Sequence, residues 1–292
     1  KVGFIGVGIM GKSMVRNLMK AGFELHIYAR TKSKVEDVIG EGAQFHESIK
    51  DCVQDCDAVI TIVGFPQDVE EVYFDQGNIL DSAKEGAYLI DMTTTSPQIA
   101  EKIYEEGTKR GFHVMDAPVT GGDTGAKAGT LSILVGGEKE DYEACMPLFE
   151  AMGTNINYQG KAGCGQHCKL ANQIMIAGTL SGVCEALTYA KEQGLDPEVF
   201  MKSVATGAAG SKQLDTFGPK ILKDDYAPGF FMKHFIKDMK LALIEANRKG
   251  LSLDVLSMVL ANYEELEQEG YGDLGTQALM KFYDEEHRNM EE

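Results

Sequence analysis

No stretch of the 292 residues runs to eighteen apolar positions, so no membrane-spanning helix and no membrane partner are expected. Basic residues are scarce. Against 45 Asp and Glu stand 28 Lys and Arg, a net charge of −17, which argues against a nucleic acid held by bulk charge. Six cysteines are too few for a disulfide scaffold in a chain this long and read as reduced thiols; a cytoplasmic location is expected. Cys164, His167 and Cys168 fall close together, as do Cys52 and Cys56, but neither group has zinc spacing with four ligands in view, and no metal site is expected. No charged-then-apolar leader is read at the start; Lys1 leads straight into a strand pattern. Internal repeats and low-complexity segments are lacking too. What remains, a long chain with 43% hydrophobic residues, builds full cores in two domains or one large one.

The first half alternates strand and helix. Val2-Gly3-Phe4-Ile5 is a short apolar strand, and helix follows until Gly22. Leu25-His26-Ile27-Tyr28 is the second strand. Further strands are read at residues 58–63, 88–90, 113–117, 131–135 and 155–158, with a short segment near 43–45. Residues 58–63 form a continuous apolar run, as in a parallel sheet covered on both faces. Helices fall between, including one opened by Ser96 as cap and Pro97 in its first turn and one over residues 140–152. Residues 118–129 read as a glycine-rich loop. This order predicts an α/β Rossmann-type doubly wound sheet over residues 1–160. After residue 160 no strand pattern recurs. Helices are read at 197–203, 212–222, 233–249, 252–269 and 276–288, so residues 161–292 form an all-α domain for substrate binding and oligomerisation. The acidic tail from Asp284 onward reads as a solvated helix end.

The turn after the first strand is Gly6-Val7-Gly8-Ile9-Met10-Gly11, a Gly-x-Gly-x-x-Gly set between strand and helix. That context makes it a dinucleotide-binding signal and not merely a tight turn. Gly6 makes the turn, Gly8 lets the pyrophosphate approach backbone N–H groups, and Gly11 allows close helix–strand packing. At the end of the second strand an NAD site carries an acid for the ribose hydroxyls. Residues 28–34 hold none. They offer Arg30, Thr31 and Lys34 instead, groups suited to a 2′-phosphate. NADP(H) is therefore expected, with NADPH preferred over NADH.

The junction of the halves reads GKAGCGQHCKLAN, residues 160–172. Its glycines make a loop, and an apolar run without proline then continues to Gly194 as a helix of about 28 residues, roughly 42 Å long. Gly165, Lys169 and Asn172 share one face near its start. A second stretch, Asp116-Ala117-Pro118-Val119-Thr120-Gly121-Gly122, follows a strand end, where ligands bind in open α/β sheets. Thr120 brings a hydroxyl there, and Gly121 and Gly122 bring uncluttered N–H groups for a carboxylate.

Together these stretches resemble the β-hydroxyacid dehydrogenases, the family typified by 3-hydroxyisobutyrate dehydrogenase. FIGVGIMG is similar to the family's cofactor loop, DAPVTGG to its substrate motif, GKAGCGQHCKLAN to its catalytic motif and KDMKLAL to its later cofactor motif, in family order along the whole chain. Arg30-Thr31 and YAPGFFMKHFIKD bring it nearest to the NADPH-dependent glyoxylate and succinic semialdehyde reductases. The resemblance implies that Lys169 is catalytic. It implies substrate contacts at Thr120, Gly121, Gly122 and Asn172, and cofactor contacts at Ile9, Met10, Val63, Phe65, Thr94 and Lys237 beside the glycines, Arg30, Thr31 and Lys34. Ala29 and Gly64-Phe65-Pro66 depart from the usual pattern of those reductases, and residues 207–214 match no substrate signature. The implied partner is a small carboxylate-bearing aldehyde or hydroxy acid, and the implied assembly a homodimer or homotetramer.

The expected chemistry is hydride transfer between NADP(H) and a small β-hydroxy acid or semialdehyde acid, with Lys169 as general acid or base. A lysine ammonium, with a reference pKa of about 10.4, is already an acid at neutral pH, which favours reduction. Two alternatives stay open. Imine reductases share this architecture but commonly carry Asp or Tyr at the lysine position, and a non-catalytic cofactor-binding scaffold would need no lysine at all.

Overall fold

A computed structural model of the chain describes residues 1–284; the expected acidic tail beyond Asp284 and the last turn of the helix read at 276–288 lie outside the described residues. The chain divides into two compact units, one of Lys1–Lys169 and one that begins at Leu170. A division at residue 160 places the long helix wholly in the second domain. The observed one falls inside that helix, because its first turn is bonded to the strand ends of the first unit.

In the first unit the strands are β1 (Val2–Ile5), β2 (Leu25–Tyr28), β3 (Gln44–Phe45), β4 (Ala58–Thr61), β5 (Tyr88–Asp91), β6 (His113–Asp116), β7 (Val119–Thr120), β8 (Leu131–Gly137) and β9 (Gly153–Gly160). They make one sheet in the order β3-β2-β1-β4-β5-β6-β8-β7, with β9 on β8. Strands β1 to β6 pair in parallel, and β8 runs antiparallel to β6. β1 and β4 are buried at every position, the pattern of strands covered on both faces. Alternate residues feed opposite cores: Phe4, Ile60 and Ile90 join one cluster, and Ile5, Val59 and Leu89 the other.

The glycine-rich segment after β6 is more ordered than a loop. β7 pairs with β8, and a helix, Gly122–Ala128, follows, ended by Gly129 in the left-handed region. Asn17 donates its side-chain amide to the Ala126 carbonyl at 2.7 Å, which ties this short helix to the one after the glycine turn. The helix expected over 140–152 is two helices, Lys139–Ala144 and Met146–Met152. Pro147 cannot donate back across the junction, so the chain restarts there. A short helix at Ile79–Ser82 is too brief to leave an apolar period.

The second unit is helical. The long helix, Cys164–Glu192, has 29 residues. After it come helices Pro197–Ala205, Lys212–Ile221, Met232–Arg248 and Asp254–Gln268, then 3₁₀ turns at Tyr271–Asp273 and Thr276–Tyr283. By length and composition alone the long helix could cross a membrane. Here its Leu170, Ala177, Leu180, Val183, Cys184 and Leu187 are buried in one core with Phe235, Met239 and Tyr263.

Candidate active site

The glycine turn follows β1, which lies between β2 and β4 at the point where the strand order reverses. Ligands bind beyond the strand ends at such a point. Gly6 has φ +97°, and a Cβ there would come within 2.0 Å of the Ile62 carbonyl. A Cβ on Gly11 would lie 2.1 Å from the Gly6 carbonyl. Both positions need glycine to let the helix start close against the strand. Gly8 differs, because nothing lies within 4 Å of where its Cβ would be. It caps the helix Ile9–Lys20, which has no side-chain cap and no acid in its first turn. Free N–H groups facing open space are what a pyrophosphate requires, so these residues fit a dinucleotide.

Beyond β2, Arg30, Thr31 and Lys34 are exposed. Arg30 pairs with Asp68 at 3.3 Å, and Asp68 also accepts the Phe65 amide at 3.0 Å. The loop after β4 is thus connected to Arg30 through one carboxylate. Val63 in that loop donates its amide to the Thr93 hydroxyl at 2.9 Å. Below them lies a buried polar chain. Tyr73 and Thr61 share a hydrogen bond, the Thr61 hydroxyl donates to Asp91 Oδ1 at 2.8 Å, and the Thr93 amide donates to the same oxygen at 3.1 Å. Asp91 Oδ2 is buried without a hydrogen-bond partner. Burial pushes this carboxyl up to about 6, against the pull of its hydrogen bonds. Thr94, at the tip of this segment, is half-buried.

Asp116, at the end of β6 beside Asp91, reaches into the start of the long helix. Its Oδ1 accepts the Gly163 amide at 2.8 Å and its Oδ2 accepts the Gln166 amide at 2.8 Å. Burial raises this carboxyl, while those amides favour its ionised form. The turn is closely seated. A Cβ on Gly165 would come within 2.4 Å of the Leu134 carbonyl and 2.8 Å of Asp116 Oδ2. One turn further on is Lys169, only 7% exposed. Thr120 ends β7, opposite Ser132 of β8. Gly121 and Gly122 follow with φ +129° and +63°, values that turn the backbone sharply there.

In the second unit, Asn172 donates its amide to Gln173 Oε1 at 2.8 Å, and Gln173 donates to Asp238 Oδ2 at 2.6 Å. Lys237 lies 3.0 Å from the other oxygen of Asp238. Asn172 and Lys237, far apart in sequence, are therefore joined through two buried residues to which the sequence reading gave no role. In the first unit the glycine turn, Val63 and Thr94 follow β1, β4 and β5, and Asp116 and Gln166 bond the start of the helix that carries Lys169 to the end of β6 and to the segment after β5; Asp91, Asp116 and Gln166 are supports that the sequence does not announce. The signal for these supports was faint: a polar residue closing an apolar strand, or a glutamine among small residues. Among the described residues no group of three His, Cys, Asp or Glu could hold a metal ion.

A glycine turn of this form on a doubly wound sheet, followed by a helical unit, defines a class of nicotinamide-cofactor oxidoreductases. Residues 1–160 match the model of the NAD-binding domain of 6-phosphogluconate dehydrogenase, and residues 163–283 that of the NAD-binding region of NADP-dependent 3-hydroxyisobutyrate dehydrogenase. The chain is 50% identical to the oxidoreductase YkwC of Bacillus subtilis, across 97% of this chain and 98% of that protein. It is 44% identical to a probable 3-hydroxyisobutyrate dehydrogenase-like protein of Arabidopsis thaliana, across 96% and 84%. The 3-hydroxyisobutyrate dehydrogenase of Mycobacterium tuberculosis, solved with L-serine, superposes with a TM-score of 0.88 at 26% identity, across 96% of this chain and 97% of that one. The chain belongs to the β-hydroxyacid dehydrogenase family, typified by 3-hydroxyisobutyrate dehydrogenase. It is an NAD(P)-dependent oxidoreductase that acts on CH–OH groups.

Proposed function

We propose that the protein is an NADPH-preferring reductase of a small carboxylate-bearing aldehyde, yielding the hydroxy acid, with Lys169 as the proton donor. The observation that carries this reading is the seating of the helix start. Asp116 and the strand ends hold the turn Gly163–Gln166, and Lys169 leaves it buried one turn later. When bound, the reduced nicotinamide supplies the hydride. Lys169 gives its proton to the carbonyl oxygen as negative charge develops there. Thr120 and the amides of Gly121 and Gly122 hold the substrate carboxylate.

NADPH preference is supported by the three exposed groups beyond β2 and by the lack of an acid at residues 28–34. The six free cysteines support a reducing compartment, the cytoplasm. Self-association through the helical unit, as dimer or tetramer, is supported by large apolar side chains left in water there. Met175 is 74% exposed, Tyr189 67% and Val255 58%, apolar area that a second copy of the chain would cover. Light scattering measures the assembly. The reading itself is tested with glyoxylate, succinic semialdehyde and related aldehyde acids, each with NADPH and with NADH. Turnover of one of them with NADPH favoured is the expected result. Reduction of a cyclic imine but of no aldehyde acid would replace this reading with an imine reductase.

A further inference from the structure

Gln166 has no part in the chemistry above, yet its side chain is wholly buried and bonded at both ends of its amide. Its amide nitrogen donates to the Thr93 carbonyl at 2.7 Å, and its carbonyl oxygen accepts the Thr95 amide at 2.9 Å. One planar amide thus takes a backbone group on each side of residue 94, as a neighbouring strand would. The backbone of the same helical turn is fixed independently by Asp116, which accepts the Gly163 and Gln166 amides. Lys169 stands three residues further along, on the same side of the helix.

We propose that Gln166 is a positioning residue that sets the register between the segment Thr93–Thr95 and the Lys169 ammonium. The inference rests on the reading of Lys169 as proton donor. A glutamine suits this post because it carries a donor and an acceptor in one plane. An ionised glutamate carries only acceptors and sets an oxygen against the Thr93 carbonyl. A protonated glutamate restores the donor, and burial favours that protonated form. Gln166→Glu therefore converts a fixed contact into one that pH can make or break.

The test uses the full chain with Gln166→Glu, Gln166→Leu, Lys169→Ala and the double variant Gln166→Leu/Lys169→Ala. NADPH binding is followed by its fluorescence, and turnover by reduction of whichever of the aldehyde acids named above the wild-type protein reduces. Gln166→Glu is expected to lose about tenfold or more in turnover and several-fold in NADPH affinity at pH 8, and to recover both as pH falls. Gln166→Leu is expected to be impaired at every pH, and to add less than about twofold to the loss in Lys169→Ala. A purely structural amide predicts otherwise: lower thermal stability with normal turnover in the folded enzyme, pH profiles parallel to wild type, or losses that multiply in the double variant. Any of these overturns the proposal. Full turnover in Lys169→Ala, or a wild-type protein that binds NADPH but reduces none of the aldehyde acids named above, refutes instead the reading on which it rests. The NADPH-binding profile of Gln166→Glu then decides the role of Gln166 on its own.

Discussion

Lys237 holds its ammonium 3.0 Å from Oδ1 of Asp238, and both groups are withdrawn from water, at 13% and 0% side-chain exposure. The other carboxylate oxygen accepts Gln173 at 2.6 Å. Taking one partner out of a buried pair is far costlier than breaking a surface one, because the remaining charge keeps its desolvation cost. Asp238→Ala is expected to destabilise the helical unit by on the order of 3 kcal/mol, with Asp238→Asn milder because it keeps one acceptor. Denaturant unfolding followed by circular dichroism measures both. A midpoint equal to wild type in the alanine variant would show that the pair carries no net stability.

Lys169→Ala removes the proposed proton donor while the seating of the helix start, made by Asp116 and Gln166, stays in place. Turnover is expected to fall on the order of 100-fold or more, with NADPH affinity changed little. Single-turnover kinetics beside NADPH titration separate the two. If the variant reduces substrate at the wild-type rate, another group donates the proton.

How much of this was legible follows from what kind of physics each feature obeys. The apolar strands β1 and β4 and the glycine turn declare themselves locally. Burial on both faces demands an unbroken apolar run, and the close contact between Gly6 and the Ile62 carbonyl admits no side chain. The spacing of Gly165, Lys169 and Asn172 puts them on one helix face, but the role proposed for Lys169 comes from resemblance, since a lysine on a helix carries no local mark. The supports were hidden for a different reason. Asp116 and Gln166 are 50 residues apart, and Gln166 and Thr93 are 73 apart; their meaning exists only once the sheet brings them together. The helix Gly122–Ala128 reads as loop in the sequence because glycine lowers helix propensity, while the packing of Ala126 and the Asn17 bond to its carbonyl outweigh that local preference.

Gly8 and Gly11 share a motif but fail differently. A methyl group on Gly11 collides with the Gly6 carbonyl, so Gly11→Ala is expected to lose stability as well as cofactor binding. Gly8→Ala meets no protein atom within 4 Å and is expected to fold with a melting temperature near wild type. It fills the space proposed for the pyrophosphate, so NADPH affinity should drop roughly tenfold or more. Comparing melting curves with NADPH titrations checks both. Equal behaviour of the two variants would contradict the assignment of separate roles.

Arg30→Asp exchanges the proposed clamp on the 2′-phosphate for an acid that suits a ribose diol. It also places that acid near Asp68, which now pairs with Arg30. The ratio of kcat/KM with NADPH to that with NADH is expected to fall by roughly 100-fold, most of it as a raised KM for NADPH. A ratio that does not move would remove Arg30 from cofactor selection.

Asp91 links the buried network to pH. Its native carboxyl, pushed up by burial from 3.8 to about 6, keeps its proton over a range in which an unfolded aspartate has lost it. Between about pH 4 and 6 the native state therefore binds more protons than the unfolded state, and stability falls as pH rises through that window. Above about pH 6 the cost of a buried charge is present in full, roughly 3 kcal/mol for a shift of this size. Asp91→Asn removes the ionisation and keeps an acceptor for Thr61 and Thr93. Its new N–H₂ takes the place of the unpartnered Oδ2 at a cost that does not vary with pH. Asp116 titrates in the same direction, so the quantity to read is the difference between variant and wild type, not either curve alone. That difference is expected to move in favour of Asp91→Asn by a few kcal/mol as unfolding is measured from about pH 4.5 to 8. A difference constant with pH would mean that Asp91 does not titrate there.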